Sequence, residues 1–135
     1  MSNLPIFDVA GSAMQAQSVR LSTVASNLAN ANTIAGTAEG AYRAKMPLFQ
    51  TETIPSKPEL AGVRVAEVQE STAAPTRRYD PGNPSANEQG YVFAPEIDPV
   101  AQMVDMISAS RSYQANVEVF NSAKELAVAT LNMGR

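Results

Sequence analysis

The stretch Asp98-Pro99-Val100-Ala101-Gln102-Met103-Val104-Asp105-Met106-Ile107 decides the fold, because it holds a complete helix start. Asp98 is a capping carboxylate for the free amides of a first turn, and Pro99 follows where a missing N–H costs nothing. Downstream, Met103, Ile107, Ser110, Tyr113, Val117, Phe120, Lys124, Ala127 and Leu131 recur at an average spacing of about 3.5 residues, which is the seam of a coiled coil. Ending near Gly134, such a helix is roughly 50 Å long at ~1.5 Å per residue.

Working outward, the prolines divide the chain. Apart from Pro5, all of them lie between Pro47 and Pro99. Upstream of that region Phe7, Ala10, Met14, Gln17, Leu21, Val24, Leu28 and Ala31 alternate at spacings of three and four, again a coiled-coil seam with Gln17 its single polar member. Pro5 suits a first turn and Asn30, Asn32 and Gly36 are stop signals, so the spacing predicts a helix over about residues 5 to 31, roughly 40 Å long. Residues 36–98 carry Pro, Gly, Ser and Thr with short β-prone runs, notably Val63, Val65 and Val68 and then Tyr91-Val92-Phe93. Ile54-Pro55-Ser56-Lys57-Pro58 and Asp80-Pro81-Gly82-Asn83-Pro84 are turn chemistry.

These readings combine into an expected fold. It is mainly α, with antiparallel N- and C-terminal helices forming a coiled-coil-like pair and a small β/loop middle segment. The segments run 1–35, 36–98 and 99–135.

Charge is distributed unevenly. Only Asp8 and Arg20 are charged from Met1 to Ala38, and only Asp105, Arg111, Glu118, Lys124 and Glu125 from Pro99 to Gly134. A water-facing helix side is ordinarily rich in Lys and Glu, whereas here it carries Ser12, Ser18, Ser22, Ser26 and Asn27. Small uncharged residues permit close contact on a second face, so each helix is expected to pack on its partner in the chain and again on other subunits. The same pattern also suits an Ala- and Ser-rich hairpin that only dimerises, such as a small secreted adaptor or chaperone-like binding protein.

Composition narrows the chemistry. The 135 residues contain neither Cys nor His, so the commonest general base near neutral pH, thiolate nucleophiles and the usual transition-metal ligands are all missing. No catalytic residue, metal ligand or cofactor site is expected. A net charge of −3 and no basic block beyond Arg77-Arg78 argue against nucleic acid as a partner. No apolar run approaches the roughly 20 residues a membrane span needs, and Met1–Ala16 lacks the pattern of a cleavable signal. No direct membrane insertion is therefore expected.

The run Ala25-Ser26-Asn27-Leu28-Ala29-Asn30-Ala31-Asn32-Thr33 resembles the signature that closes the first helix of flagellar rod and hook proteins. Two further stretches narrow the resemblance. They are Tyr79-Asp80-Pro81-Gly82-Asn83-Pro84 leading to Gly90-Tyr91-Val92, and Met103-Val104-Asp105-Met106-Ile107 continuing through Ser110-Arg111-Ser112-Tyr113-Gln114-Ala115-Asn116-Val117-Glu118. Across nearly the whole chain these look like the FlgC family of proximal rod proteins. The resemblance implies a structural subunit of the periplasmic rod, exported without signal cleavage through the flagellar type III apparatus. It implies assembly with other rod subunits, with the rod adaptor FliE and with copies of itself into a tube that transmits torque and encloses the export channel.

On that reading the assembly residues expected are Leu21, Val24, Asn27 and Leu28, Asn30, Met103 and Ile107, with Arg111, Tyr113, Val117 and Phe120. Asn27 and Asn30 stand i,i+3 on one helix face, where carboxamides can bond an adjacent helix or simply end their own. The planar fork of Arg111 suits a carboxylate on a neighbouring chain or a place in solvent. Tyr113 and Phe120 read as seam aromatics. By analogy with the axial family the C-terminal helix lies innermost, which makes Gln114 and Asn121 the channel-facing candidates.

Overall fold

The computed structural model describes residues 5–54 and 57–134. Its elements in chain order are α1 (Pro5–Asn30), β1 (Lys45–Ile54), β2 (Lys57–Glu70), β3 (Thr76–Tyr79), β4 (Tyr91–Ala94) and α2 (Pro99–Met133). Asp98 caps α2, its carboxylate accepting the Val100 N–H at 2.9 Å, with Pro99 in the first turn. The helix of 35 residues then runs to Gly134. α1 has 26 residues, with Pro5 at its start and Asn30 at its end.

The two helices run antiparallel. Phe7 meets Phe120 edge to face with ring centroids 4.8 Å apart, Arg20 bonds Asp105, and Asn27 bonds Gln102. Early residues of one helix thus stand level with late residues of the other. From about residue 123 onward α2 runs past Pro5, the first residue described in α1.

The expectation of a mainly α chain built on a coiled-coil-like pair is corrected here. Among the described residues helix accounts for 48% and strand for 25%, and the strands form two antiparallel two-stranded sheets, β1 with β2 and β3 with β4. The larger hairpin is long: β1 has 10 residues and β2 has 14, paired from Lys45↔Glu70 to Ile54↔Lys57 with register shifts at Leu48/Phe49 and Thr53/Ile54. It lies against α1, so α1 is packed between a helix and a sheet instead of against a helix alone. The row that α2 turns toward α1 is also unlike a coiled-coil seam. Its buried members are Ala109 and Ala123, with half-buried Gln102 and Asp105 before them and half-buried Asn116 and Phe120 between them. Apart from Phe120, the residues there are small or polar and do not supply the large knobs that such a seam requires.

The second sheet, β3 with β4, is small, with four residues in each strand. Val92 on β4 is fully buried, and Ala35 and Phe93 exchange backbone hydrogen bonds of 2.9 and 2.8 Å, so β4 lies between β3 and the segment following α1. The Asp80-Pro81-Gly82-Asn83-Pro84 cluster lies in the β3–β4 connection, which closes at Gly90 with φ +80°, a conformation natural to glycine. Of the other turn cluster, Pro55 and Ser56 lie outside the described residues.

Candidate assembly interface

α1 has three faces, spaced by its 3.6-residue turn. The first, with Phe7, Ala10, Met14, Gln17, Leu21, Val24 and Leu28, turns to α2 and is half-buried or buried throughout. Gln17 is the exception in chemistry: its Oε1 is buried with no hydrogen-bond partner among the described residues. The second face, with Ser12, Ala16, Thr23 and Asn27, turns to the β1–β2 hairpin. There the Ser12 hydroxyl donates to Val9 O at 2.8 Å and accepts the Val63 N–H at 3.2 Å. Gly62 makes this approach possible, because a Cβ at that position would stand 2.8 Å from Ser12 Oγ. The third face is open and carries Asp8, Gln15, Ser18, Ser22, Ala25 and Ala29, all exposed, with half-buried Gly11 in the same row. Much of the low-charge surface that pointed to neighbouring subunits is therefore covered by the chain's own hairpin, and one narrow strip of small residues stays open.

Asn27 is the junction of the molecule. Its side-chain nitrogen donates to Lys45 O at 2.8 Å and to Gln102 Oε1 at 3.1 Å, while its oxygen accepts the Lys45 N–H at 2.8 Å and the Tyr42 hydroxyl at 3.1 Å. One carboxamide, 2% exposed, thus joins α1, α2, the loop before β1 and the first residue of β1. All of its hydrogen-bonding capacity is used inside the chain. That corrects the expectation of an intersubunit contact at Asn27, and Val24, 3% exposed, is likewise interior. Asn30 plays the local part: its amide donates to Ser26 O and its carbonyl accepts from Thr33, bonds that finish the helix. Arg20 and Asp105 form a two-point ion pair between the helices, Nη2 with Oδ1 and Nε with Oδ2 at 3.3 Å. Sequence reasoning missed Gln102, Tyr42 and Asp105 as partners. The signal for Arg20 and Asp105 was available, since they are the first opposite charges met along two nearly uncharged helices.

The face of α2 opposite α1 divides into two stretches. Val100, Met103, Val104 and Ile107 recur at i, i+3, i+4 and i+7 and are 50 to 67% exposed, a helical apolar stripe left open by the described residues. Beyond them the same face carries exposed Arg111, Gln114, Glu118, Asn121 and Glu125. Met103 and Ile107 therefore belong to the outward face and not to the seam toward α1, a correction of about one residue in helical phase. Tyr113 is exposed at the edge of the pair, whereas Val117 and Phe120 are half-buried in it. Arg111 makes no ion pair among the described residues. Near the end of α2, Leu126, Leu131 and Met133 also stand exposed. No helix of the described residues is long and apolar enough to cross a membrane.

Two helices in contact along one side and apolar or smooth on the other make a unit suited to packing among copies of its kind. Residues 7–34 match the family model "Flagella basal body rod protein", and residues 88–133 match "Flagellar basal body rod FlgEFG protein C-terminal". The chain is similar to the flagellar basal-body rod protein FlgC of Salmonella typhimurium and of Yersinia enterocolitica, at 50% identity over 135 residues and the full length of both chains. It is also similar to that of Aquifex aeolicus, at 41% identity over 119 residues, 88% of this chain and 87% of the relative. With its paired terminal helices falling under the two rod models and its whole length aligned to the Salmonella and Yersinia relatives, the chain belongs to the flagellar basal-body rod protein FlgC family.

Proposed function

We propose that this structural subunit of the flagellar basal-body rod joins its neighbours through the outward face of α2. The observation that carries the reading is the exposed stripe Val100, Met103, Val104 and Ile107. Apolar side chains in one contiguous row on a helix mark a protein contact, and burying them removes area worth about 25 cal/mol per Å². Family membership favours this over the soluble dimeric adaptor.

In this reading segments 1–35 and 99–135 are the assembling unit and 36–98 an accessory body. The neighbours are copies of the chain, other rod subunits and the adaptor FliE, reached in the periplasm after passage through the type III export apparatus. The rod formed in this way transmits torque mechanically, with no chemical step. Gln114 and Asn121, exposed beyond the apolar stripe, face the central channel. Uncharged polar groups there hold water and attract passing chains of either sign only weakly.

Ile107→Asp tests the assignment. Because Ile107 is exposed, the variant should melt within about 0.5 kcal/mol of the parent yet be absent from basal bodies isolated from a strain that makes no other copy. Normal rods containing the variant would overturn the reading.

A further inference from the structure

The charges on the two helices do not balance within one chain, and the remainder has a geometry. Arg20 and Asp105 consume each other. What is left on α1 is Asp8, exposed on the open face in line with Gly11, Gln15, Ser18 and Ser22. What is left on the first half of α2 is Arg111, exposed one turn beyond the apolar stripe and without an ion pair among the described residues. Phe7 meets Phe120, so Asp8 stands level with the region of residue 119 in its own chain. That is about eight residues from Arg111, roughly 12 Å along the axis at 1.5 Å per residue, and the two lie on different sides of the pair. They cannot meet within one molecule.

The two open faces are complementary. α2 offers protruding Val100, Met103, Val104 and Ile107 ending in a cation; α1 offers a smooth strip ending in an anion. At Gly11 a Cβ would have nothing within 4 Å, so no contact among the described residues accounts for a glycine in mid-helix, where it costs stability relative to alanine. Bulky residues pack best on a helix face whose side chains are small, and an Arg–carboxylate pair at the end of the contact sets its register. We propose that the occupant of the α1 open face is α2 of a second copy of this chain, keyed by Asp8 of one copy and Arg111 of the next. This deepens the rod reading and rests on it. The contact joins different patches on the two copies, so it is head-to-tail and continues from copy to copy instead of closing at two.

Charge reversal tests the key. Asp8→Arg, Arg111→Glu and the two combined in one chain are each expressed as the sole copy, and basal bodies per cell and the motile fraction are counted. Each single reversal is expected to reduce both at least tenfold, and the combination, which restores an opposite pair between copies, to return them to within about twofold of the parent. A combination no better than the worse single variant overturns the proposal, as it does if a different rod protein occupies the face. So does a role for Asp8 confined to the positive end of α1, since Asp8→Arg would then impair both backgrounds alike. As a second measurement, Asp8→Cys with Arg111→Cys is oxidised in isolated basal bodies; the chain has no other cysteine. A ladder of multiples supports the contact, whereas monomer or dimer alone refutes it. Parent protein missing from basal bodies would instead refute the rod reading itself.

Discussion

Asn27→Ala removes one small side chain and severs four elements at once. Four groups are stranded: the N–H and C=O of Lys45, the Tyr42 hydroxyl and Gln102 Oε1. Tyr42 and Gln102 are half-buried side chains that can turn to water. The two backbone groups of Lys45 cannot move without unpairing β1, and each unsatisfied group costs about 1–2 kcal/mol. With the lost packing the change amounts to about 3 kcal/mol. For a chain of this size that lowers the melting temperature by roughly 10 °C. Asn27→Asp should be no better, since it keeps the acceptors but aims a carboxylate at two oxygen atoms. Asn30→Ala is the control, because its amide bonds only Ser26 O within its own helix and should cost about 0.5 kcal/mol. Thermal unfolding followed by circular dichroism, at one protein concentration, measures all three. Asn27→Ala melting with Asn30→Ala, within about 2 °C, would refute the junction.

Other perturbations have equally definite outcomes. Gln17→Met should stabilise by about 1 kcal/mol, since it removes a buried oxygen without a partner and keeps the volume; a lower melting point would show that Gln17 is satisfied in solution. Gly62→Ala should destabilise by about 1–3 kcal/mol by driving a methyl group into Ser12 Oγ, and Ser12→Ala should recover part of this in the double variant. Additive losses would mean the hairpin does not rest on Ser12. A double-mutant cycle between Arg20 and Asp105 should give a coupling of about 0.5–1 kcal/mol, modest because the side chains are 27 and 35% exposed, with zero coupling refuting the pair. Gln114→Arg with Asn121→Arg should leave rods intact but slow hook and filament growth; normal growth on rods shown to contain the variant would remove both residues from the channel.

Legibility varied from element to element for physical reasons. Both helix starts were readable because Pro5, Asp98 and Pro99 act locally, through φ and a cap, without reference to the rest of the fold. The long hairpin was not, because most of β1 and β2 is exposed on both faces and so lacks the alternation that betrays a half-buried strand. Pro47, Pro58 and Gly62 broke the pattern further. The phase of α2 was misread because large apolar residues drew the seam to Met103 and Ile107, whereas the inward row is made of small Ala109 and Ala123. Hydrophobic periodicity finds the stickiest face and does not say which molecule covers it. For Asn27 the type of residue and its helical face were legible, but not its partners, which lie up to 75 positions away.

That separation has a kinetic consequence. The link from Asn27 to Gln102 closes a loop of 75 residues, at an entropic cost of roughly 4 kcal/mol that must be met before the contact returns anything. A chain without its last helix has neither Gln102 to complete the junction nor Phe120 to cover Phe7, and its hairpin root hangs from α1 alone. The fold is therefore completed by its final segment. Such a protein stays loosely structured until its whole length is free, and threads through a narrow passage more readily than one whose beginning locks as soon as it emerges.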